Sequence, residues 1–202
     1  MGGRGGSSGI SAGGSFNYQT FGSAGEYKKE ANEVMSGVKE VLTDFGMESE
    51  LKAVSFVDEI KGDGMGVNGF GKLSISKSYL ANKGKSSEGY FASDTFKGAG
   101  AHEAAHIVCY SLLKNKVMSG SGRYETSMAR KGDKLEKSII KEAKKRYGSN
   151  PKISGYGSTK FSEKVAEAVS DVYSNGRKAN PYSKEIVKVM KDINAGRFIP
   201  KM

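Results

Sequence analysis

The chain has 202 residues, 37% of them hydrophobic, and a formal net charge of +10. That length suits one domain with a sizeable core, and the basic balance suggests an acidic partner such as nucleic acid or an anionic surface without specifying one. One cysteine, Cys109, rules out an intrachain disulfide, and no run reaches the roughly 18 apolar residues of a membrane span or forms the apolar centre of a signal peptide, so a cytoplasmic or virion-associated protein is expected.

Residues 1–25 are Gly/Ser-rich and predict a flexible tail, with the folded domain running from 26 to 202. Arg4 is the only arginine in that tail, too little for an Arg-Gly RNA contact. From Glu26 to Phe45 the apolar residues Tyr27, Ala31, Val34, Val38, Val41, Leu42 and Phe45 fall at helical spacing, and Gly46 ends the helix. A strand is expected over 51–57, a turn over 61–66 and a second strand over 69–76, giving a small antiparallel pair. Asp94 or Ser93 would cap a helix over 95–114, and the Gly/Ser run at 119–122 breaks the chain. A charged helix over 125–147 carries Leu135, Ile139, Ala143 and Tyr147 in register, and Pro151 follows its stop. A helix over 159–174 stops at Asn175-Gly176, and Asn180-Pro181 opens a last one through Ile193. The fold class expected is α+β, mostly helical, with a small antiparallel sheet.

The chemistry concentrates on the helix over 95–114. His102 and His106 are the only histidines, and four residues separate them, so both imidazoles leave one face of the helix. That spacing suits two ligands of a tetrahedral zinc, and Glu103 between them can serve a water as general base. Small neighbours, Ala101, Ala104 and Ala105, allow close packing around the motif. A catalytic zinc needs a third protein ligand and an open position. Metzincins would place a glycine and a histidine at 109 and 112, where Cys109 and Leu112 stand. A deformylase-type site takes a cysteine upstream, whereas Cys109 lies downstream and is expected to be a small core residue. The remaining source is a distant carboxylate. Glu163, Glu167 and Asp171 form a stripe on one helix, opposite Val165, Val169 and Val172, and a cation would relieve their repulsion.

With these motifs the sequence resembles the gluzincins, zinc peptidases that combine HExxH with a glutamate on a second helix. Two registers fit the resemblance. Glu167-Ala168-Val169-Ser170-Asp171 looks like the thermolysin pattern, in which Glu167 binds zinc and Asp171 orients a histidine. The run from Tyr156 through Glu163 to Ala166-Glu167-Ala168 looks like the anthrax lethal factor-type peptidase domain and related domains attached to phage head-morphogenesis proteins. That register implies Glu163 as ligand, Glu167 as the carboxylate fixing His102, and Tyr156 as the donor stabilising an oxyanion. It is preferred because it also accounts for Tyr156. The separation of His106 from Glu163 is long for thermolysin-type enzymes, and the helix over 125–147 supplies the inserted length. The resemblance implies Zn2+ as cofactor, a protein or peptide substrate, and a strand edge that pairs with it, for which Gly71-Lys72-Leu73-Ser74 is the candidate. Two rival functions suit the charge and the tail: an inactive phage structural or DNA-packaging accessory protein keeping the fold, and a basic nucleic-acid-binding module.

Overall fold

The structure, a computed structural model, describes residues 15–60, 64–82, 89–117 and 125–201. Its elements are β1 (Gln19–Phe21), α1 (Lys28–Phe45), β2 (Ala53–Val57), β3 (Met65–Val67), β4 (Lys72–Ser76), α2 (Lys77–Asn82), α3 (Phe96–Leu112), α4 (Glu125–Tyr147), α5 (Phe161–Asn175) and α6 (Pro181–Asn194). The protein is a mostly helical α+β fold with one four-stranded sheet. The break expected at 119–122, most of the tail and the first half of the 61–66 turn lie outside the described residues.

The helices follow from their apolar stripes. On α1, Ala31, Val34, Val38, Val41, Leu42 and Phe45 are buried, and Gly46 closes the helix at φ 64° with its N–H on Thr43 O at 3.0 Å. Asn180 caps α6 by accepting the Tyr182 N–H at 2.9 Å, with Pro181 at the first helical position. Helix α3 differs from both because it is buried nearly all round: Gly98, Gly100, Ala101, Ala104, Ala105, Ile107, Val108 and Leu112 are buried, and so are the polar His102, Glu103 and Ser111. Burial on all sides belongs to a central helix, and α3 packs between α1 and α5. α4 and α6 complete the layer around α5, tied together by Arg146, which reaches Glu142 at 2.9 Å and Asp192 at 2.6 Å.

The sheet departs from the expectation in three ways. Its order is β1-β2-β4-β3. The two strands expected to pair antiparallel, β2 and β4, run parallel, with Val54 opposite Leu73 and Phe56 opposite Ile75. The antiparallel partner of β4 is β3, which occupies part of the stretch expected as a turn. The reversal sits later, at Asn68–Gly71. There Asn68 Oδ1 accepts the N–H groups of Phe70 and Lys72, both at 3.0 Å, and Gly71 adopts φ 74°. A side chain at Gly71 would also meet Glu50 O at 2.0 Å, so glycine fixes this corner. Finally, β1 draws Gln19–Phe21, expected within the tail, into a parallel pairing with β2, and Phe16 and Tyr18 pack against the core. Because β4 is flanked by β2 and β3, the expected substrate-pairing segment Gly71-Lys72-Leu73-Ser74 presents no open edge; the outer strand on that side is β3.

Candidate metal centre

Three elements build the site: α3, α5 and the turn before α5. The N-terminus of α3 is set by Thr95, not by Asp94 or Ser93, since Thr95 Oγ1 accepts the Gly98 N–H at 2.9 Å. Its depth is set by glycines. A Cβ on Gly100 would lie 1.9 Å from Val34 O, and one on Gly37 would lie 2.0 Å from Lys97 O. The backbones of α1 and α3 therefore touch without side chains between them, which seats the histidine-bearing turn in the core.

His102 and His106 leave α3 on the same face, with ring centroids 5.1 Å apart. Glu163, in the first turn of α5, faces them. Its Oε2 lies 3.1 Å from His102 Nε2 and 3.8 Å from His106 Nε2, and one ligand atom from each of the three residues lies within 4.8 Å of the others. Two imidazole nitrogens and a carboxylate oxygen at about 2.0–2.1 Å from a tetrahedral zinc would stand about 3.3 Å apart. The observed spacing fits that set without moving a helix.

The other nitrogen of His102 is also engaged. Glu167 Oε1 lies 2.8 Å from His102 Nδ1, and Glu167 Oε2 accepts the Ala92 N–H at 2.5 Å. Glu167 is 1% exposed, so this carboxylate is held from both ends. It fixes the ring and leaves Nε2 directed at Glu163. Tyr156 stacks on the His102 ring at 5.7 Å and 30°. Tyr90 and Phe91 flank Tyr156 at 5.8 and 5.4 Å, and the Tyr156 N–H donates to Tyr90 O at 2.8 Å. The segment 89–92 thus clamps both Tyr156 and Glu167.

The electrostatics follow from this crowding. Burial opposes charge on His102, but hydrogen bonds to Glu163 and Glu167, with Glu103 nearby, raise its pKa to about 10 in the metal-free chain. Burial and the adjacent His102 push His106 down to about 4. Burial opposes the charged form of Glu163, yet the two histidines and a hydrogen bond from Tyr156 hold it below the usual carboxylate range. Glu103 is 8% exposed and near enough to Tyr79 to help burial raise that phenol. On α4, Glu136 is buried, and burial with Asp133 and Glu163 nearby lifts it to about 7.

All the sequence-derived candidates His102, Glu103, His106, Tyr156, Glu163 and Glu167 meet in this one region. Asp171 does not. It accepts the Asn180 N–H at 2.9 Å and a bond from Asn175 Nδ2 at 2.8 Å, which fastens the turn between α5 and α6; the histidine-orienting place of the thermolysin pattern is taken by Glu167. Cys109 is buried in the core, and burial raises its thiol pKa. Sequence inspection passed over Tyr90, Phe91 and Glu136. The aromatic pair in a Ser-rich stretch was a visible signal; nothing local marks Glu136 as buried. No family model matches the chain, and no curated protein or solved structure matches it significantly.

Proposed function

We propose that the protein is a zinc-dependent peptidase. The observation that supports this best is the convergence of His102, His106 and Glu163 within 4.8 Å, with Glu103 one position along the same helix. His102, His106 and Glu163 would hold the zinc, which would supply a Lewis acid able to polarise a carbonyl and lower the pKa of a water. Glu103 accepts the proton of the attacking water and passes it to the leaving amine. Glu167 holds the His102 Nδ1 proton, which would leave Nε2 as the nitrogen offered to the metal. The Tyr156 hydroxyl, bonded to Glu163 in the resting chain, turns to donate to the carbonyl oxygen as it gains charge. The outer edge of β3, which packs near α3, offers backbone to an extended substrate.

Metal analysis by mass spectrometry tests this reading. Protein prepared without chelator is expected to carry one zinc per chain. Glu163→Ala loses it, while Glu103→Gln keeps it and lowers peptide hydrolysis about 100- to 10,000-fold. Zinc absent from the wild type would favour the rival, an inactive structural protein retaining the fold. Zinc lost from Glu167→Ala but kept by Glu163→Ala would move the third ligand to Glu167.

A further inference from the structure

Beside the first turn of α5 lies a cavity of about 780 Å³. Among the described residues, five lysines line it, Lys134, Lys137, Lys152, Lys160 and Lys164, against one acid, Asp133. Three separate stretches of chain bring them together: α4, the loop around 150–152 and the turn leading into α5. Lys77, Lys97 and Lys191, outside the cavity, each sit beside an acid: Asp58, Glu40 and Asp44. In the cavity the lysines outnumber the acid and repel one another. Lys164 is committed to structure, its Nζ donating to Asn150 Oδ1 at 2.7 Å and Pro151 O at 3.1 Å. Lys134, Lys137, Lys152 and Lys160 are exposed at the rim. Lys160 holds the N-cap position of α5 without a side-chain cap, so the positive end of the helix dipole adds to the same field. Phe161, 45% exposed, gives the cavity an apolar wall, with Lys137 Nζ 5.9 Å from its ring centroid.

We propose that this cavity is a subsite for an acidic side chain of the substrate, which makes the protein a peptidase selective for acidic peptides. This rests on the peptidase reading of the adjoining metal centre. The two sites share α5: Lys160, Phe161 and Lys164 line the cavity, while Glu163 and Glu167 face α3. A helix is about 10–12 Å across with its side chains, and an extended peptide advances about 3.3–3.6 Å per residue. An Asp or Glu in the cavity therefore lies roughly two to four residues from the scissile bond. The concavity suits one side chain or a short acidic cluster, whose carbons lie on Phe161 and whose carboxylates meet the lysines. A nucleic-acid backbone needs a longer basic track.

The test uses the full chain and two arms. In the first, fluorescence anisotropy compares a labelled Asp/Glu-rich peptide, its Asn/Gln counterpart and a single-stranded oligonucleotide on three proteins. These are the Glu103→Gln chain, the same chain with Lys134→Glu, Lys137→Glu and Lys152→Glu, and the same chain with Lys28→Glu, Lys29→Glu and Lys188→Glu, which changes the net charge equally at distant exposed positions. Tenfold or tighter binding of the acidic peptide over the neutral one, lost tenfold in the cavity variant alone, supports the subsite. Equal binding of both peptides, equal loss in both triple variants, or tighter lysine-dependent binding of the oligonucleotide overturns it. In the second arm, a peptide library is digested with zinc-loaded chain bearing Glu103. An Asp or Glu preference near the cut that reverses in the cavity variant supports the subsite, and cleavage without that preference overturns it while leaving the peptidase reading intact. Acidic-peptide binding with neither zinc nor cleavage overturns the peptidase reading alone.

Discussion

His102 is the most constrained side chain of the centre, because every polar atom of its ring already has a carboxylate. In the metal-free chain it keeps a proton up to a pH of about 10, whereas His106 gives its proton up near 4. On the proposed reading, a zinc ion bound at Nε2 would displace that proton. Below 10 the metal therefore competes with a proton at His102, and the competition eases as pH rises. The expected outcome is a zinc affinity that climbs roughly tenfold per pH unit between 5.5 and 8, with about one proton released per ion. Calorimetry in buffers of different ionisation enthalpy measures both quantities, and a flat affinity over that range would sink the assignment. The residue types and their spacing were legible in the sequence because two histidines and two glutamates at i, i+4 obey a local rule of the helix. The fate of Asp171 was not, since its partners lie on the following turn and only the path of the chain brings them near.

At the scale of elements, the position of α3 depends on two glycines more than on its histidines. With Gly37 and Gly100 the backbones of α1 and α3 meet directly, and a methyl group at either has nowhere to go. Gly100→Ala is expected to lower stability by about 3 kcal/mol, the upper end of ordinary overpacking, and to weaken metal retention by displacing the turn that carries His102. Chemical denaturation followed by circular dichroism measures the first effect. A variant as stable as the wild type would mean that the helices can part without loss. Helix limits were legible because apolar stripes, Gly46 and Asn180-Pro181 mark them locally. Strand pairing was not. Whether β2 lies parallel or antiparallel to β4 depends on where the intervening chain turns, and Met65–Val67 is a strand in a Gly-rich stretch that reads as a turn. The lysine cavity escaped for the same reason, its residues being scattered over α4, the 150–152 loop and the start of α5.

For the molecule as a whole, the candidate metal centre sits where the helical layer meets the segment that leads into α3. Helices α3 and α5 bring the candidate ligands, and 89–92 ties the approach to α3 onto both Tyr156 and Glu167. The net charge of +10 suggested an acidic partner without saying where it would bind. In three dimensions a share of that charge is gathered beside the candidate site. One bond in this assembly has a practical consequence. The Ala92 amide donates to the same carboxylate that holds His102, so its proton would report on an ion bound at the other end of that relay. Zinc loading is expected to slow hydrogen–deuterium exchange at Ala92 and to shift its amide resonance, while the Asn180 amide on Asp171, which shares no carboxylate with a histidine, stays unchanged. Such a signal would follow loading of the centre with no substrate in hand.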